Sequence, residues 1–403
     1  VLIYNKYVAY LDNAATSPML PEAVAAMTKL LGEPSNPSSL HASGRKSRRA
    51  VEESRERVAR AVGCGSAEVV FTSGGTEANN IAVKGIAWDQ RDKDPRRIRV
   101  VAGSTEHHAV LDPVRWLGES EGFEVTWIKS DAEGKITPEA LRQALGDDPT
   151  EVGVVSVILA NNEVGTINDI SALTAVTREY GIRFHTDAVQ APAWVELNFS
   201  ELGVCAMSIS GHKVGGPHGI GALIISRDCH VTPLIHGGGQ ERDVRSGTLD
   251  APAIVGFATA LEITASRRSE TVARVAALRD DLVTRVMQVA PDAIYTGSKI
   301  DRLANNAHFI FPDCLGDSLL MLLDAQGVEC SVGSACNAGV PQPSHVLLAM
   351  GADDDNARST LRFSLGSTTT QSDVDKLIEV LPSAIERAKR AGVPKLTTAP
   401  VRA

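Results

Sequence analysis

The sequence has 403 residues, 43% hydrophobic and 22% charged, with a formal net charge of −9. That length gives about two or three domains with a sizeable core, and the acidic balance disfavours a generic nucleic-acid binder. No apolar run reaches the roughly 18 residues of a membrane helix, and no basic-then-apolar leader opens the sequence, so a cytoplasmic protein is expected. Six cysteines (Cys64, Cys205, Cys229, Cys314, Cys330 and Cys336) make no disulfide framework in so long a chain. They offer no C-x-x-C pair or zinc set either, so most are expected to be buried apolar thiols.

In chain order, VLIYNKYVAYLDNAAT reads as a short strand entering a turn, and EESRERVAR (52–60) as a solvated helix face. EVVFTS (68–73) is a strand ending in a glycine turn, followed by a helix over TEANNIAVKGIAW. RIRVVAGS is the next strand and HHAVLDPVRWLGE the next helix. VGVVSVILA (152–160) is continuously apolar, as suits a strand buried on both faces. SALTAVTREYG is a helix stopped by Gly181, and IRFHTDAVQ, CAMSIS and GIGALIIS are strands. This alternation predicts a mainly parallel sheet covered by helices, with ligands gathered at the carboxyl ends of the strands. From about residue 249 a long helical stretch begins. It is followed by a strand (NNAHFIFP), a helix (DSLLMLLDAQG), a strand (STLRFSLG) and an amphipathic helix (QSDVDKLIEVLPSAIERAKRAG), which reads as a smaller α+β domain. The expected division is 16–260 for the large domain, 1–15 with 261–392 for the smaller one, and a disordered tail over 393–403.

Four local features bear on chemistry. TSGGTEANN puts Gly75 and Thr76 at a helix start, where backbone N–H groups and the helix dipole suit a phosphate; an ordinary strand-to-helix turn has the same look. It is not a P-loop, and GPHGIG is not a dinucleotide fingerprint. HTDAVQ sets Asp187 and Gln190 at a strand end. Asp187 is either a plain helix N-cap or the partner of a protonated pyridine nitrogen. SGHK supplies Ser210 and His212 beside Lys213, which is either a solvated turn lysine or an amine positioned to form a Schiff base. STEHHAV puts His107 at a strand end, as a capping residue or as a ring that stacks on a cofactor or moves protons; His108 is read as structural.

Taken together, YLDNAAT, SNPSSLHASGR, FTSGGTEANN, STEHHAV, NNEVGTI, HTDAVQ, SGHKVGGPHGIGAL, HGGGQERDVRSGT, GSAC and LRFSLG stand in the order found in the cysteine desulfurases of the class-V aminotransferase group. The resemblance runs from about residue 8 to 390 and is to the long-loop branch, which resembles the nitrogen-fixation and iron–sulfur-cluster desulfurases. It implies a fold-type I transferase: α/β, with a mainly parallel seven-stranded sheet, a smaller α+β domain and pyridoxal 5′-phosphate as cofactor. By resemblance Lys213 forms the Schiff base, Asp187 holds the pyridine nitrogen, Gln190 meets the phenolic oxygen and His107 stacks on the ring. Gly75, Thr76, Ser210 and His212 bind the phosphate, Thr248 reaches the phosphate of the other subunit in a homodimer, and Asn162 and Arg362 grip the substrate carboxylate.

Cys336, in the glycine- and proline-rich SVGSACNAGVPQPSHV, reads from its surroundings as either a structural thiol in a turn or an exposed nucleophile; the resemblance implies the thiolate that attacks the sulfur of bound L-cysteine and keeps it as a persulfide, L-alanine leaving. Cys330 is expected to pack. The resemblance implies that an iron–sulfur scaffold or another acceptor protein takes the sulfur, for cluster assembly or tRNA thiolation. No metal is expected beyond a remote case for Cys336 as a [2Fe–2S] ligand. The other readings are a selenocysteine lyase, another class-V aminotransferase, and a sulfur-relay or assembly scaffold without catalysis.

Overall fold

The computed structural model describes residues 7–34, 36–333 and 342–391. The described strands are, in chain order, β1 (Ala9–Tyr10), β2 (Val69–Thr72), β3 (Arg99–Gly103), β4 (Glu124–Ile128), β5 (Val152–Ser156) and β6 (Arg183–Asp187), then β7 (Ala206–Ser210), β8 (Gly221–Ile225), β9 (Ile294–Tyr295), β10 (Asn306–Ile310), β11 (Val328–Glu329) and β12 (Thr360–Ser364). Seven of them form the main sheet, in the order β2-β8-β7-β6-β5-β3-β4. From β7 to β4 the neighbours run parallel. β8 is antiparallel to both β7 and β2. Its reversal follows from chain length. Only residues 211–220 separate Ser210 from Gly221, too few for the crossover that a parallel neighbour needs.

The sheet is buried on both faces because its strands alternate two apolar sets. Phe71, Val101, Val155, Met207 and Ile224 pack into one core. Val70, Val100, Val154, Ala206 and Leu223 pack into another on the opposite face. The apolar run from Val152 is regular strand only to Ser156. Beyond it, Val157 and Leu159 still donate N–H bonds to the carbonyls of His185 and Asp187, and that irregular extension carries the chain over the end of β6.

A third core lies under the three-stranded antiparallel sheet β12-β10-β9. Phe309 sits at its centre, with ring centroids 5.2 Å from Tyr295, 5.8 Å from Phe311 and 6.2 Å from Phe363; such pairs add about 0.5–1.5 kcal/mol each beyond simple burial. Ala9 and Leu11 belong to this core, since β1 pairs in parallel with β11. The helix Ala251–Val289 joins the two regions. Its first turns, to Leu261, pack on the main sheet, and Val275, Leu282 and Val286 pack in the third core. No described helix is long and apolar enough to cross a membrane. The tail 393–403 and Cys336 lie outside the described residues.

Candidate active site

The carboxyl ends of β5, β6 and β7 open into a cavity of about 370 Å³. Gly75, Thr76, His107, Asn162, Asp187 and Gln190 line it, and so do Ser210, His212, Lys213 and Arg362. Thr248 is exposed and does not line it, and Cys336 is not described. Cys330 is buried in the third core, and burial pushes its thiol pKa up.

One end of the cavity is made by the helix Gly75–Lys93, whose N-cap, Gly74, offers no side-chain bond to the first turn. Gly75 leaves room for Val189, since a Cβ there would stand 2.6 Å from Val189 Cγ2 and the valine would have to shift. The nearby carboxylate of Glu77 is already engaged: it accepts the Ser73 N–H at 2.6 Å and the Arg245 Nε–H at 2.9 Å. Open backbone donors with Thr76, Ser210 and His212 around them suit a phosphate dianion.

The floor is Asp187, at the end of β6 and 3% exposed. Its Oδ1 accepts the Val189 N–H at 2.9 Å and its Oδ2 accepts from Asn79 Nδ2 at 2.7 Å. Burial raises its pKa, and these two bonds with the nearby Lys213 charge oppose the rise. Asn79 is a functional candidate missed in the sequence; its signal was its place one turn into the helix that begins at Gly75. Below the floor His185 is fully buried, bridging the hydroxyls of Ser156 at 2.9 Å and Ser208 at 3.0 Å, and burial lowers its pKa to about 3.

Lys213 follows β7 in a tight turn. Its Nζ donates to the carbonyls of Ala14 at 2.6 Å and Ala15 at 2.7 Å, and Gln190 Nε2 donates to the same Ala14 carbonyl at 2.9 Å. Burial first, then the charge of Arg362, lowers the Lys213 pKa to about 8. An amine so placed has an accessible neutral form near physiological pH. His212, lowered to about 4 by burial and by Lys213, remains neutral there.

The opposite wall comes from the third-core region. Arg362, on β12, donates from Nη1 to the Asn162 carbonyl at 2.8 Å and from Nη2 to Asp12 Oδ1 at 2.8 Å. Its Nε and the Asn162 Oδ1 are buried with no protein partner. Unpaired polar atoms on a cavity wall suit a polar ligand, and a planar guanidinium suits a carboxylate. Glu163 is 3% exposed, and its Oε2 accepts from Ser344 Oγ at 2.5 Å. Gly333 lies so close to Glu163 that a Cβ on it would stand 2.9 Å from Oε2 and 2.8 Å from His308 Nε2. Asp12, Glu163 and His345, which also lines the cavity, were not singled out in the sequence. Each acts through a partner far along the chain, so no local spacing marks it. His108, read as structural, lines the cavity as well.

No group of three or more described His, Cys, Asp or Glu residues forms a metal site. The donor set instead offers an amine, a carboxylate under a ring-sized space, an anion-ready helix start and a guanidinium.

Comparison with known proteins places the chain in a family. The aminotransferase class-V family matches residues 9–377. The chain is 53% identical over 386 residues to an IscS-like cysteine desulfurase of Mycobacterium tuberculosis, across 96% of this chain and 98% of that one. It is 42% identical over 386 residues to a cysteine desulfurase IscS of Methanosarcina thermophila, across 96% and 93%. Among solved structures it resembles a NifS-like protein with a TM-score of 0.86 at 32% identity, over 94% of this chain and 100% of that one. It also resembles SspA in complex with cysteine, with a TM-score of 0.76 at 32% identity, over 90% and 100%.

Proposed function

The chain belongs to the class-V aminotransferase family and is a cysteine desulfurase, and we propose that it takes sulfur from L-cysteine with Lys213, Asp187 and Arg362 around pyridoxal phosphate and Cys336 as the sulfur-accepting thiol. What supports this assignment above all is that Lys213, Asp187 and Arg362, from three distant segments, line one cavity. Class-V enzymes use pyridoxal phosphate generally. The residues here fit it, since the anion-ready helix start, the buried carboxylate and the lowered lysine match its phosphate, ring nitrogen and aldehyde.

When bound, the cofactor supplies an electron sink next to the Cα of an amino acid joined to it. In this reading Lys213 would hold the cofactor's aldehyde, and its Nζ, when free, would take a proton from the substrate Cα. Asp187, fixed by Asn79 and the Val189 N–H, would keep a proton on the ring nitrogen. Gln190 and His107 would meet the phenolic oxygen and the ring face. The Gly75 backbone, Thr76, Ser210 and His212 would hold the phosphate. Arg362 and Asn162 orient the substrate carboxylate, which fixes the Cβ–S bond in the cavity.

Cys336 then attacks the substrate sulfur as a thiolate. An S–S bond forms and the Cβ–S bond breaks, its electron pair staying on carbon, which takes up a proton as L-alanine leaves. The persulfide passes to an acceptor protein, for iron–sulfur clusters or thiolated tRNA. A homodimer is part of this reading, since Thr248 is exposed and free to meet a second copy. So is the cytoplasm, where the five described cysteines, all free, would stay reduced.

Cys336→Ser tests the chemistry. The holoenzyme should keep its cofactor colour and lose alanine release from cysteine, on the order of a hundredfold or more. Alanine release at the unaltered rate would remove Cys336 from the mechanism.

A further inference from the structure

The anion-ready helix start carries a carboxylate of its own. Glu77 is the third residue of the helix Gly75–Lys93 and the one acidic residue of its first turn, so its charge shares that turn with the backbone donors of Gly75 and Thr76. Gly75, Thr76 and Asn79 line the cavity and Glu77 does not. Its side chain turns back instead, with Oε2 on the Ser73 N–H and Oε1 on Arg245 Nε. Burial raises the Glu77 pKa, but the Ser73 bonds and Arg245 outweigh it and hold the carboxyl below its ordinary range. A full negative charge therefore stands beside a place suited to a dianion, and alone it would repel one.

Arg245 answers that charge from 168 residues away. The Arg245 and Glu77 side chains are 18% and 13% exposed, so water and salt screen the pair less than one on the surface. The segment that delivers Arg245 is fixed by other contacts. The Glu241 carboxylate, fully buried, accepts two bonds from Arg55 at 2.7 and 2.8 Å and the Phe71 N–H at 2.8 Å. The Glu241 N–H donates to the Arg245 carbonyl at 3.0 Å, and the Gly247 N–H donates to Gln240 Oε1 at 2.8 Å. These contacts hold the backbone at Arg245 without calling on its guanidinium.

We propose that Arg245 is a positioning residue of the cofactor's phosphate site: by pairing with Glu77 it cancels the carboxylate on the first turn, so that a phosphate dianion can settle on Gly75 and Thr76. The inference rests on the reading that this turn takes the phosphate of pyridoxal phosphate, and it adds a counter-charge to that reading. No bond forms or breaks and no proton moves; the effect is electrostatic. A merely structural role for the pair, tying the segment at Arg245 to the helix start, would act on the fold and would not distinguish a ligand with a phosphate from one without.

Arg245→Met tests this with two ligands, pyridoxal phosphate and pyridoxal, titrated into the full chain freed of cofactor and followed by absorbance. The variant should bind pyridoxal phosphate on the order of tenfold more weakly than the unaltered protein, and the gap should narrow as salt is raised. Pyridoxal, with the same ring and aldehyde and no phosphate, should bind both proteins alike. Adding Glu77→Gln to Arg245→Met should restore the affinity for pyridoxal phosphate. Weakening of pyridoxal as large as that of pyridoxal phosphate, no weakening of pyridoxal phosphate, or no restoration by Glu77→Gln overturns the proposal. If the unaltered protein itself binds the two ligands equally, the phosphate reading fails, and the proposal with it.

Discussion

The floor and the far wall of the cavity are built by different kinds of contact. The floor is local. Asp187 ends β6, Lys213 follows β7, and Gly75 opens the helix after β2, so the backbone of each is placed by the strand it leaves, although the side chains of Asp187 and Lys213 also reach Asn79 and the Ala14 and Ala15 carbonyls. The far wall is assembled at long range. Arg362 meets Asp12 across 350 residues, Ser344 meets Glu163 across 181, and His345 meets Glu106 across 239. A floor tied into the sheet should couple to stability. A wall held by a few charge-assisted bonds should couple to substrate binding instead.

The larger effect is expected on the wall. Asp12→Asn removes the counter-charge from Arg362 but leaves its bond to the Asn162 carbonyl. Hydrogen bonds to charged groups contribute about 1.5–3 kcal/mol, so KM for cysteine should rise about tenfold, with kcat and thermal stability little changed. An unchanged or lower KM would mean that Asp12 competes with the substrate carboxylate rather than orienting its receptor.

The smaller effect is expected under the floor. His185 is buried neutral, with a pKa of about 3 against an ordinary 6.5. Only the unfolded chain takes up that proton between these values, so its contribution to stability is full above pH 6.5 and is lost as pH falls toward 3. The slope is roughly 1.4 kcal/mol per pH unit. His185→Gln should flatten the acid limb of the stability curve by that amount, whatever it does to stability at neutral pH. Acid limbs of equal slope in the two proteins would place the acid sensitivity elsewhere.

The same division explains what was legible in the sequence. Lys213, Asp187, His107 and the Gly75–Thr76 pair are short-range signals, each a polar residue at the end of an apolar run, and all of them line the cavity. Asp12, Glu163 and His345 gain meaning only from partners that folding brings to them, so a reading of local spacing passes over them. The sheet shows the same limit. Its mainly parallel character followed from the alternation of strands and helices, while β2 lies beside β8 for a reason no local pattern carries. The reversal of β8 was legible in principle, from the shortness of its connection to β7.

The central claim is that Lys213 holds the cofactor by its side-chain nitrogen. Borohydride reduction of the protein saturated with pyridoxal phosphate, followed by peptide mass analysis, tests it most directly. The account predicts one cofactor fixed per chain, on the peptide that carries Lys213. Fixation on a different lysine, or none at all, would contradict it.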